Sequence, residues 1–173
     1  MKAKPCFGIV AGVLLVFSVA PAAAWAQKTV NEKGRVVYHF DKTEVMQAAD
    51  VPGHIIGVVD ASGLVFPDTG EVATFSNKII LDLIKGTGSH QSYSVNTYED
   101  GSTTVSKGKG VTTAHSDGTS TFEGTYTYIG GTGRFAGIKG GGSYTGKRLA
   151  PLTQGGPADS FFDLVGTYTL PSQ

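Results

Sequence analysis

The stretch Thr125-Tyr-Thr-Tyr-Ile-Gly-Gly-Thr-Gly-Arg-Phe-Ala-Gly-Ile-Lys-Gly-Gly-Gly-Ser-Tyr-Thr-Gly146 decides how the chain is read. Its opening residues alternate Thr and Tyr, the period of two that a half-buried strand shows. Tyr126 and Tyr128 fall on one face, with Phe122 in phase behind them. From Gly142 a second strand begins. A glycine-rich run between two elements can cradle a phosphate, but only when a helix follows and aims its first amides at the anion. Here Gly137 and Gly140 to Gly142 would break such a helix, and the Lys-Ser/Thr ending of a nucleotide loop is missing. The run therefore reads as an architectural turn. Gly130, Gly131 and Gly133 permit tight backbone geometry, and Phe135 and Ile138 tuck into the core on a short helical turn. Arg134 is placed to pair with a carboxylate or to cap carbonyls.

Working outward, the same strand pattern recurs. Residues 35–40, 54–66, 72–84, 92–98, 103–113, 119–129, 142–149 and 160–170 read as eight strands. In the third, Phe75, Asn77, Ile79, Leu81 and Leu83 share one face and Lys78, Ile80, Asp82 and Ile84 the other. Gly57 and Gly63 mark bulges or close backbone contacts in the second. Asp100-Gly101 and Asp117-Gly118 are hairpin turns. Asp41 to Asp50 is expected to hold a short helical turn, and Ala150 to Asp159 a Pro/Gly loop. No window sustains a helical apolar period, so the fold is all-β, a sandwich or a barrel. Closing eight strands into an antiparallel barrel removes the edge strands and leaves room for a small cavity.

The N-terminus is of a different kind. Lys2 and Lys4 precede the apolar run Phe7 to Ala20, and Ala24-Trp25-Ala26 supplies small residues two apart. That order reads as a secretory signal over residues 1–26, cleaved after Ala26, since the apolar run is too short to span a bilayer. One domain, residues 27–173, then remains, secreted or periplasmic and without a membrane span. Cleavage removes the only Cys (Cys6) and the only Trp (Trp25), so stability rests on the core and the backbone ladder rather than on disulfides. The full chain balances 14 Lys+Arg against 14 Asp+Glu, which disfavours a nucleic-acid partner. Its 40% apolar content excludes a disordered chain.

Gly130-Gly131-Thr132-Gly133-Arg134-Phe135, with Thr125 to Ile129 before it, resembles the signature of the allene oxide cyclase and dirigent barrel superfamily, and Val37-Tyr38-His39-Phe40-Asp41 fits more loosely. The resemblance implies an eight-stranded antiparallel barrel with an apolar cavity, commonly trimeric, working without a cofactor. Cyclases of this type close a ring largely by confinement, and dirigent proteins steer radical coupling. The cyclases carry a Glu on the first strand beside an N-x-x-D-R stretch. The nearest position here is His39, followed by Phe40-Asp41-Lys42-Thr43, so the barrel is carried over and the cyclase chemistry is not.

Catalytic residues are not identifiable from the sequence. The cavity candidates are His39, Tyr126, Tyr128, Glu123 and Asp163. Glu123 and Asp163 each sit between aromatic or apolar neighbours, and strand register decides whether they face the interior or the solvent. His39, His54, His90 and His115 are too widely spaced for a metal pair, and no Gly-x-Ser-x-Gly elbow occurs. The expected function is an exported barrel that binds a small apolar molecule. The alternatives are a cofactor-free cyclase or isomerase, which a buried acid in the cavity would favour, and a structural or interaction barrel with a filled interior. An outer-membrane barrel fits poorly, because Ser89 to Thr121 is too polar to face lipid.

Overall fold

A computed structural model describes residues 27–150 and 158–171. The expected export signal and most of the expected Pro/Gly loop, Ala150 to Asp159, lie outside the described residues. The strands are β1 (Lys28–Gln47), β2 (His54–Pro67), β3 (Ala73–Ile84), β4 (Thr87–Tyr98), β5 (Thr103–Ala114), β6 (Ser120–Gly131), β7 (Lys139–Arg148) and β8 (Ser160–Leu170). Each pairs antiparallel with the next, and β8 pairs back onto β1, closing the barrel. The only helical element among the described residues is a 3-10 turn, Gly133–Phe135, between β6 and β7.

The eight-strand expectation holds, with corrections at strand ends, the first being that β1 begins at Lys28 rather than Arg35. No helical turn follows Asp41; β1 runs on to Gln47. A bulge at Asp41 shifts the β1–β2 register, so Asp41 and Lys42 both face out before Thr43 turns in again. That doubled outward step breaks the period of two and hides the strand's second half from pattern reading. β4 also starts at Thr87 rather than Ser92, because Lys85-Gly86 makes a two-residue hairpin with φ of 52° and 82°. Both residues are left-handed, as the favoured hairpin turn demands, and Lys at the first is an uncommon choice.

Inward and outward residues alternate most strictly along β3, where Ala73, Phe75, Asn77, Ile79, Leu81 and Leu83 are buried and their neighbours exposed. Each buried apolar side chain of this kind contributes roughly 1.5–3 kcal/mol. The glycines of β6 to β8 have a packing role. A Cβ on Gly146 would lie 2.5 Å from the Phe122 ring, and one on Gly166 2.5 Å from the Tyr126 hydroxyl. One on Gly124 would lie 2.6 Å from the Tyr144 ring. Inward glycines thus leave space for large rings reaching in from neighbouring strands, the alternation of small and large that fills a small barrel. Tyr38, Phe75, Phe162, Phe122 and Tyr144 meet in this way across the middle of the barrel, with centroids 5.6–6.5 Å apart. The outer face carries exposed ion pairs, Arg35 with Asp163 and Lys78 with Asp60, each at 2.7 Å. Exposed pairs of this kind contribute at most about 1 kcal/mol each.

Candidate functional site inside the barrel

Strand parity sorts the candidate residues. Tyr126 and Tyr128 face the interior. His39 does not: it lies between inward Tyr38 and Phe40, so it faces solvent, where it meets Asp41 at 2.9 Å. Glu123 alternates with Phe122 and is exposed. Asp163 alternates with Phe162 and is held outside by Arg35 in a two-pronged pair at 2.7 and 2.8 Å. These three therefore do not face the barrel interior.

The glycine motif caps one end of the barrel. Phe135 and Ile138 are buried as expected, and the Phe135 ring lies 4.7 Å from that of Tyr98. Gly133 has φ of 58°, and a Cβ there would land on the Ser102 hydroxyl. At Gly131 a Cβ would come within 2.6 Å of the Phe135 carbonyl. Gly130 is different: a Cβ there meets nothing within 4 Å, so packing does not require glycine at that position. Arg134 pairs with Glu71 at 2.7 Å and lies over the rings of Tyr98 and Phe135.

Just inside this cap stands a group that pattern reading missed. Glu32 accepts hydrogen bonds from the Tyr126 and Tyr128 hydroxyls, both 2.6 Å, on separate carboxylate oxygens. That is the length of a charge-assisted O–H···O⁻ bond. Burial, with the neighbouring Glu32 carboxylate adding to it, pushes both phenols well above their ordinary range, so they stay protonated and donate. The first strand thus does carry an inward glutamate, ahead of the expected position at His39. The signal was available. Extending the alternation of Val36, Tyr38 and Phe40 back through Gly34 puts Glu32 in phase with them.

The centre of the barrel holds a cavity of about 60 Å³ with two unlike walls. Tyr126, Tyr128, Tyr144, Phe162 and Leu164, on β6 to β8, make the mainly aromatic wall, and Asn77, Ser92, Ser94, Asn96 and Ser106, on β3 to β5, the polar one. The purely apolar cavity implied by the resemblance is thus corrected to a two-sided one. On the polar wall, Ser94 donates to the Asn77 amide oxygen at 3.1 Å, while the buried Asn96 side-chain oxygen has no partner among the described residues. A buried polar atom without a partner costs about 1–3 kcal/mol. As it stands, the cavity has room for a few waters. Tyr128 lines both this cavity and a second of about 70 Å³ at the capped end, so it stands between the two.

Beyond the aromatic layer, His90 is buried, with its ring nitrogens 3.0 Å from the Thr112 hydroxyl and 2.7 Å from that of Tyr144. Burial pushes His90 down to about 4 and Tyr144 up to about 12, so both are neutral near pH 7. Among the described residues no three of His, Cys, Asp or Glu come together in a way that would hold a metal ion.

A closed, eight-stranded antiparallel barrel with a short capping turn and a two-sided interior defines the class. No family model matches the chain, and no curated protein does. Among solved structures, the pterocarpan synthase dirigent protein GePTS1 superposes with a TM-score of 0.50 at 14% identity, over 88% of this chain and 99% of that one. The pterocarpan synthase dirigent protein PsPTS1 superposes with a TM-score of 0.45 at 12% identity, over 84% and 97%. The chain therefore has the dirigent-type barrel fold, at an identity that carries the fold and not an activity.

Proposed function

We propose that the protein is an exported barrel that binds a small molecule in its interior without a cofactor, the ligand presenting an apolar ring or chain to one wall and a polar group to the other. A central cavity lined by aromatic rings on one side and by Ser92, Ser94 and Ser106 on the other carries this reading. Export rests on the expected signal over residues 1–26. A ligand of ring size must merge the central cavity with the one at the capped end, and Tyr128, between them, is the residue that has to move.

Binding is read as a rise in melting temperature, because a ligand that binds only the folded state stabilises it by mass action. Phenol, which has both a ring and a hydroxyl, should raise the melting temperature of the wild type and more so than benzene. Ser106→Leu, which fills the cavity from its polar wall, should abolish the rise. Wild type unresponsive to phenol, or a variant responding equally, would count against the reading.

A second reading has its own observation. A half-buried carboxylate held by two phenols, at one end of a confined space, is a proton acceptor with donors beside it. A cofactor-free isomerase acting by confinement would use Glu32 as base. Glu32→Gln would then keep ligand binding and lose turnover.

A further inference from the structure

We propose that the end of the barrel opposite the Phe135 cap is a second binding site, in which Arg148 receives the carboxylate of a small monocarboxylic acid. The chain has three arginines, and two of them are paired on the surface: Arg35 with Asp163 and Arg134 with Glu71, each at 2.7 Å. Arg148, the last residue of β7, is only 7% exposed. Its Nε donates to the Ala150 carbonyl at 2.9 Å and its Nη2 to the Ser120 hydroxyl at 2.7 Å, both neutral acceptors. No acidic residue occurs in 1–26, 151–157 or 172–173, so all 14 Asp and Glu stand among the described residues, and none pairs with Arg148. A buried charge without a counter-charge is expensive, and folded proteins pair such groups or use them.

Arg148 also lines a cavity. About 40 Å³ of space lies beside it, with Ser160 and Thr112 among the polar lining and Phe40, Ile79 and Leu81 on the apolar side. No residue lines both this cavity and the central one, so the proposal does not depend on what the central cavity binds. The chemistry narrows the ligand. A guanidinium matches a carboxylate in two parallel hydrogen bonds, and the apolar side suits a short alkyl group. The one other titratable base lining the cavity, His90, is neutral near pH 7 with both ring nitrogens engaged. One protein cation in an apolar setting favours a monoanion over phosphate, whose second charge would be left uncompensated.

The test uses the whole chain, in a buffer free of carboxylates, with sodium propionate as probe and sodium phosphate and sodium chloride at matched ionic strength as controls. Propionate should raise the wild-type melting temperature by several degrees at saturation, phosphate and chloride much less. The resonance of carboxyl-labelled propionate should broaden on adding wild type. Arg148→Met, which removes the uncompensated charge, should fold, melt at or above the ligand-free wild type, and lose both responses. Should that variant fail to fold, Leu81→Phe, which keeps Arg148 and fills the apolar side, should melt normally and show neither response. The proposal is overturned if propionate does no more than chloride, if phosphate matches propionate, or if either folded variant responds like wild type.

Discussion

Phe135→Ala lowers the unfolding free energy by about 3–5 kcal/mol, the range for truncating a buried aromatic side chain. The ring is buried, lies tilted against Tyr98 at 4.7 Å and meets Tyr168 edge-on at 6.3 Å. The 3-10 turn that carries it is tied back by the bond from the Arg134 amide to the Ser102 hydroxyl at 3.1 Å. Because the turn is held in place, it cannot collapse into the space the ring leaves, and the cavity cost is kept in full. Such a loss is a large share of the roughly 5–15 kcal/mol that holds a domain folded. Urea unfolding should show a lower midpoint with an unchanged slope, since the surface exposed on unfolding is nearly the same. A loss below about 1 kcal/mol would mean that the turn lies on the barrel without closing it.

The second large effect is on stability against acid. His90 is pushed down by burial to about 4, against 6.5 for the free side chain. Below pH 6.5 the unfolded chain binds a proton that the folded chain refuses, so stability falls with pH through this window and levels off near pH 4. One proton bound by the unfolded chain alone costs about 1.4 kcal/mol for each step of one in pH, so the loss across the window is on the order of 3 kcal/mol. His54 acts in the opposite sense. Its bonds to Asp82 and Asp50 raise it, so its contribution is fully present below pH 6.5 and is lost as pH rises through its raised value. It therefore does not mask the acid loss. Asp163, held low by Arg35, and Asp50, held low by His54, weaken the fold only as pH falls below the free aspartate value of 3.8. Urea midpoints measured from pH 7 to pH 4 should fall steeply for wild type and stay nearly flat for His90→Gln. A slope that survives the substitution would assign the acid loss to another group.

How much of this was legible in the sequence follows from what period-two reading can and cannot see. The strand of Phe75 to Leu83 alternates without interruption, and its inner face is the one observed. The Phe135 cap was legible because glycines that exclude a helix leave a turn as the only use for a buried ring. Glu32 escapes a reading that begins the first strand at Arg35, past Gly34, although the alternation continues through the glycine. The helical turn expected after Asp41 failed at a bulge, which no local composition marks. His90 and Arg148 escape local pattern for a different reason. Arg148 ends β7 and His90 stands three residues inside β4, and their burial is decided by how the barrel wraps β4, β5, β6 and β7 together around them. That is a long-range fact, and a local pattern does not contain it.

Native mass spectrometry of the chain purified from its own host tests the binding function most directly. Wild type should carry a small non-covalent adduct that leaves on collisional activation, and Ser106→Leu, purified in parallel, should lack it. Wild type at the bare polypeptide mass under the gentlest conditions, together with a Ser106→Leu chain that melts higher than wild type, would contradict the account. The interior would then be only an under-filled core.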